Sequence, residues 1–248
     1  MKINQNIYLV ASGKMGFDMT HSSDCNVYLI HCNDELVLID TGTGESIDQI
    51  CQNIEMHGFS VQQVSKIFLT HIHADHAGGA EKLRRKTGAK VYVPKYAYPI
   101  LYDGNEDAID LTTAKQNGFY PNHYQFTPCK ADVTISEGDA FQIGSLTMQV
   151  IDTPGHSSFD VSFLIKSSTG AIFLFSGDTV FYGGKISMLF TKDLHIHSLK
   201  ESIDKLSKYD VDMLLPGHYQ PALSNGLNHI KIAQNRFNSM NIPKNIVE

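Results

Sequence analysis

Seven residues in this chain have the types and spacing to hold divalent metal ions. The densest stretch reads Leu69-Thr70-His71-Ile72-His73-Ala74-Asp75-His76-Ala77-Gly78-Gly79. It follows an apolar run that reads as a strand, so His71 and His73, two apart, point to the same side as the chain leaves the sheet. Asp75 and His76 fall at the turn into a helix and can face the same space from another direction. Three imidazoles and one carboxylate suit a borderline ion such as zinc, which takes nitrogen and oxygen donors. Gly78 and Gly79 let the backbone turn sharply and approach closely. Three later positions repeat the context, each a donor in a short loop after a strand: His156 in Thr153-Pro154-Gly155-His156, Asp178 in Ser176-Gly177-Asp178-Thr179, and His218 in Leu215-Pro216-Gly217-His218. Donors at the carboxyl ends of strands converge in one cleft in α/β sheets. His195 and His197 share the two-residue spacing but have neither an acid partner nor the strand-to-glycine setting, so they carry little weight.

The elements that must position these residues are legible from periodicity and turn residues. In the first half, strands are expected near 7–10, 27–31, 36–39, 66–70 and 90–93, with helices over 46–57 and 77–87, the latter stopped by Gly88. The second half repeats the scheme. It has strands near 132–135, 146–152, 161–165, 171–175 and 213–215, a helix around 199–209 and a last one near 223–238. Between the halves, about 94–130 has a different texture, with seven aromatics, among them Tyr96, Tyr120 and Tyr124, and no strand alternation. It is either a lid or pocket wall, or a helical excursion packing its own aromatics. One globular unit, 1–248, with this aromatic-rich insert, is the expected organisation.

Composition excludes several classes. A formal net charge of -6 makes a nucleic-acid partner unattractive, and the one dense basic run, Lys82 to Lys86, falls in an expected helix where a solvated face explains it. Four cysteines without CxxC spacing read as thiols in a reducing compartment rather than a disulfide scaffold. The start carries no long apolar region, and no run of eighteen apolar residues occurs, so a cytoplasmic protein without a membrane span is expected. A small-molecule substrate is the expected partner. The aromatics between Tyr96 and Tyr124 could also cover a second copy in a homodimer.

In order and spacing, the HxHxDH stretch from His71 to His76, the two Pro-Gly-His turns and the Gly-Asp at Asp178 resemble the ligand motifs of the metallo-β-lactamase superfamily. Leu38-Ile39-Asp40-Thr41-Gly42 is similar to that family's earlier acidic motif. The resemblance covers nearly the whole chain. It implies an α/β fold of αββα type, two facing mixed sheets with helices outside. It also implies two divalent ions, zinc foremost with iron or manganese as alternatives. One ion would be held by His71, His73 and His156, the other by Asp75, His76 and His218, with Asp178 bridging. Asp40 would orient ligand imidazoles rather than ligate, with Thr70 or Thr179 as helpers, and Asp75 would move a proton to the leaving group.

Within that superfamily, a bridging aspartate argues against β-lactam hydrolysis, because the enzymes that give the family its name have Cys or Ser at comparable places. The turn from Gly177 to Gly184 resembles glyoxalase II-type thioesterases, although Lys185 is the only cation after it. Tyr182 resembles a substrate-holding tyrosine of acyl-homoserine lactonases, or is simply a packed aromatic. The function implied is cleavage of a small ester-like bond, thioester or lactone, by metal-bound hydroxide. The alternatives are a phosphodiesterase or phosphonate-type hydrolase, and a mononuclear iron persulfide dioxygenase.

Overall fold

Buried β-branched and aromatic runs dictate the architecture. The computed structural model describes residues 1–189 and 191–247, which separate into two compact units, Met1–Ile135 and Ser136–Glu248.

The first unit is built on a mixed sheet in chain order: β1 (Ile7–Ala11), β2 (Val27–Cys32), β3 (Glu35–Ile39), β4 (Val64–Phe68), β5 (Lys90–Pro94) and β6 (Val133–Ile135). The first three strands pair antiparallel and the remaining neighbours are parallel. Parallel pairing needs a crossover between strands. Helix α1 (Ile47–Met56) supplies the first, and α2 (Ala74–Ala77) followed by α3 (Ala80–Thr87) the second. Where one helix was expected over 77–87, two short ones form, and Asp75 and His76 lie inside α2 rather than at a turn before it. Gly78 and Gly79 cause the break. Gly88 ends α3 in the left-handed region at φ 76°, as its position implied.

Because β3 and β4 run parallel, with Ile39 opposite Phe68, their carboxyl ends open at the same sheet edge. That register delivers Asp40 next to Thr70. The strand near 132–135, expected in the second half, instead pairs with β5 and closes the first sheet. The aromatic segment is helical, with α4 (Tyr98–Asp103) and α5 (Leu111–Gln116); Leu101, Tyr124 and Phe126 are buried while Tyr96 and Tyr102 stay exposed.

The second unit carries the sheet order β11-β10-β9-β8-β7, from β7 (Ala140–Ile143), β8 (Leu146–Asp152), β9 (Val161–Lys166), β10 (Ile172–Gly177) and β11 (Met213–Pro216). Pairing is antiparallel from β7 to β10 and parallel between β10 and β11. Two antiparallel steps make β8 point the same way as β10, so the loops after β8, β10 and β11 leave from one edge. Helix α6 (Ile196–Leu206) buries Leu199, Ile203 and Leu206 along one stripe, and α7 (Gly226–Asn238) adds Ile230 and Ala233 to the same core as Leu174 and Leu214. β7 was not expected from the sequence, since only Ile143 of its four residues is buried. Among the described residues, no helix is long and apolar enough to cross a membrane.

Substituting Gly88 by alanine should cost roughly 1 kcal/mol, because nothing lies within 4 Å of the added methyl and only the left-handed backbone resists it. Urea unfolding of the variant checks this; a loss above about 3 kcal/mol would mean that packing, not backbone, governs the cap.

Candidate metal centre

In the first unit the site is organised by a buried carboxylate. Asp40 follows β3 with a left-handed backbone, φ 62°, a conformation that aspartate tolerates better than most residues. Its Oδ1 accepts from the Thr70 backbone N–H at 2.8 Å. Its Oδ2 accepts from the Thr70 hydroxyl at 2.8 Å and lies 2.8 Å from His76 Nδ1. A carboxylate can only accept, so His76 carries a proton on Nδ1 and turns Nε2 the other way. Thr70 has spent its one proton on Asp40; its oxygen, 3.0 Å from His71 Nδ1, therefore accepts from that ring. A single buried anion thus sets the tautomer of two imidazoles and leaves the lone pair of each on Nε2, the arrangement metal-ligating histidines use.

The other donors sit close by. The rings of His71 and His76 are 4.0 Å apart, those of His71 and His73 4.8 Å, and Asp75 Oδ2 is 3.8 Å from His76 Nε2. His71, His73 and His76 are buried, and Asp75 is partly exposed. The short helix α2 is held against the loop after β3: Thr41 donates from N and from Oγ1 to the His76 carbonyl, at 2.8 and 2.6 Å. Such closeness needs glycine at 78, where a Cβ would collide with the Tyr124 hydroxyl and with the carbonyls of Ala74 and Thr43.

Two residues here escaped the sequence reading. The Tyr120 hydroxyl donates to Asp75 Oδ1 at 2.9 Å. Burial, reinforced by the Asp75 charge, pushes that phenol well above its usual range, so it stays a donor. Cys25, just before β2, brings its sulfur within 4.8 Å of ligand atoms of Asp40 and His76. Burial pushes its thiol up to about 12, so it remains protonated beside the imidazole. Tyr120 was visible only as one aromatic among seven, and nothing around Cys25 marked it.

In the second unit, three strand ends bring His156, Asp178 and His218 together. Asp178 Oδ2 lies 3.6 Å from His156 Nε2 and 3.5 Å from His218 Nε2, and all three side chains are buried. Gly177 bulges against Pro216, and its carbonyl accepts from the Gly217 N–H at 2.8 Å, which locks the two parallel strand ends together. The Ser176 hydroxyl donates to the Val180 carbonyl and closes the turn that carries Asp178. On the other loop, Ser202 donates to the Pro154 carbonyl and His195 N–H to that of Gly155, so α6 braces the turn that presents His156.

One carboxylate oxygen equidistant from two imidazole nitrogens is the geometry of a bridging ligand. Nitrogen and oxygen donors, buried, with tautomers set from behind, fit zinc, iron or manganese. Tyr182 lies elsewhere in that unit: it is 40% exposed and packs its ring on His229, with centroids 4.3 Å apart. His195 caps α6, accepting from the Ser198 N–H, and His197 is exposed.

Asp40→Asn should keep the fold while placing an amide N–H against His76 Nδ1. That would force the ring into the other tautomer and weaken metal binding about 10- to 100-fold. Metal titration beside a thermal melt reads both, and unchanged affinity would remove Asp40 from this role.

A family model described as the metallo-beta-lactamase superfamily matches residues 23–218. The chain is 28% identical over 163 residues to a hydroxyacylglutathione hydrolase of Albidiferax ferrireducens, covering 65% of this chain and 50% of that protein. It is 25% identical over 195 residues to an atrochrysone carboxyl ACP thioesterase of a Cryptosporiopsis species, covering 78% and 48%. The chain thus spans about half the length of these curated relatives. Among solved structures, a subclass B3 metallo-beta-lactamase of Bradyrhizobium japonicum superposes with a TM-score of 0.71 at 23% identity, over 97% of this chain and 92% of that one. A beta-lactamase from Chitinophaga pinensis gives 0.72 at 20%, over 97% and 91%. Likeness at such identity shows the fold alone: two mixed sheets with helices.

Proposed function

Because the chain belongs to the metallo-β-lactamase superfamily, we propose that it is a metal-dependent hydrolase of small ester-like bonds, thioesters first and lactones second. The observation that carries this reading is the Asp178 carboxylate oxygen at 3.6 and 3.5 Å from two histidine nitrogens. A carboxylate in that position serves two cations better than one. His71, His73 and His156 would hold the first ion, Asp75, His76 and His218 the second, and Asp178 would bridge them. The preference for thioesters is supported by the relatives' names, which describe a glutathione thioester hydrolase and an acyl-carrier thioesterase.

Bound divalent ions supply Lewis acidity, which lowers the pKa of coordinated water from 15.7 to about 7 and neutralises charge on an attacked carbonyl oxygen. The protein's own residues do the rest. Asp40 and Thr70 keep two imidazoles neutral and aimed. Asp75, partly exposed, is the carboxylate placed to carry a proton to the leaving group. Burial of the histidines keeps bulk water from competing for their nitrogens. Tyr182, packed on His229, would reach substrate only by leaving that ring, so its role as a carbonyl-holding residue is a subordinate part of the proposal.

Elemental analysis with a thioester and lactone panel tests the proposal. Two metals per chain are expected, and Asp178→Ala should lose one of them with at least about a 100-fold fall in turnover. One iron per chain with oxygen uptake would replace hydrolysis by persulfide oxidation. Two metals with turnover confined to phosphodiesters would move the substrate class to phosphorus.

Acid should release the metals. Imidazoles ligate only when neutral, and their unperturbed pKa is near 6.5, so occupancy and activity should fall together below about pH 6. Activity lost at full occupancy would instead assign the titration to Asp75 or the attacking water.

A further inference from the structure

Asp75 is the one donor of the first unit that combines partial exposure with a soft terminal torsion. Rotation of a carboxylate about its last bond is broad and nearly two-fold, so backbone placement alone does not fix which oxygen faces where. Its Oδ2 is 3.8 Å from His76 Nε2, and its Oδ1 accepts from the Tyr120 hydroxyl at 2.9 Å. Tyr120 is itself held on two sides. The preceding Phe119 carbonyl accepts from Ser23 Oγ at 2.8 Å, and the Tyr120 ring stacks on Tyr124 with centroids 5.2 Å apart and planes 25° apart. Tyr124 is anchored in turn, donating to the Thr43 carbonyl at 2.8 Å.

The geometry points to Tyr120 as a positioning residue that pins the Asp75 carboxylate in one rotation, with Oδ2 presented to the second metal. The inference rests on the two-metal reading above. It gives the aromatic segment 94–130 a task beyond walling a pocket: through one phenol it sets the affinity of one metal and leaves the other untouched. No proton need leave the phenol and no bond is made or broken, since the hydroxyl acts as a neutral donor throughout.

Cobalt(II) titration of the metal-free chain, followed by visible absorption, tests this. The wild-type chain should take two equivalents. Tyr120→Phe keeps the ring and its stack on Tyr124; it should bind the first equivalent normally and the second about 10- to 100-fold more weakly, with an altered absorption band. At saturating metal its thioester turnover should show reduced kcat at little-changed KM. In an Asp75→Asn background the same substitution should have no further effect on metal affinity. Tyr124→Phe should lower the thermal midpoint without weakening the second equivalent. Two equivalents bound by Tyr120→Phe with wild-type affinity and spectrum would overturn the inference while leaving the two-metal reading intact. Equal weakening in Tyr124→Phe, or a persisting effect in the Asp75→Asn background, would overturn it as well. Fewer than two equivalents in the wild-type chain would overturn both.

Discussion

Everything in the first unit's centre depends on one buried anion. The Asp40 carboxylate is surrounded by donors from three places in the chain: the Thr70 amide, the Thr70 hydroxyl and the His76 ring. Burying a charge without partners is prohibitively unfavourable, and hydrogen bonds to an ionised group are among the strongest a protein makes. The requirement that this charge be satisfied therefore dictates much around it. It draws the end of β4 against the end of β3, fixes where α2 begins, and settles which nitrogen of each imidazole is left for coordination. Parallel register between β3 and β4 makes the meeting possible, and the left-handed turn at Asp40 aims the side chain inward.

The second unit reaches a comparable result by different means. No buried carboxylate organises the ends of its strands from behind. Instead, Pro-Gly turns stop two strands abruptly, a glycine bulge shifts the register between β10 and β11, and backbone hydrogen bonds lock the loops to each other and to α6. Asp178 is then free to be the acceptor in the middle rather than the support behind. Two carboxylates of similar burial thus have opposite duties, one holding histidines by their Nδ1 side and the other facing two of them at Nε2.

How much of this the sequence discloses follows from how local each interaction is. The His71–His76 stretch and the later Pro-Gly-His and Gly-Asp turns were legible because donors, strand ends and glycines lie within a few residues of one another. Most strands were legible for the same reason, being short apolar runs between turn residues. What stayed hidden depends on distant partners. Tyr120 finds Asp75 across 45 residues, and Cys25 approaches His76 from a strand start with no motif of its own. The strand over Val133–Ile135 looked like the opening of the second half because sequence order suggests no partner for it; pairing with β5 decides the matter. The helix expected over 77–87 broke because contacts at Gly78 outweigh the continuous helical pattern. Strand β7 was missed since its alternation is weak and mostly exposed.

The packing at Gly78 also bears on how such chains diverge. The space a methyl group would fill there is taken by the hydroxyl of Tyr124. Neither position can drift alone: a lineage that gained alanine at 78 would have to surrender the phenol at 124, and with it the platform beneath Tyr120. Positions 78 and 124 should therefore be exchanged in concert as the family branches, a covarying pair that ties the otherwise changeable aromatic segment to the oldest part of the molecule.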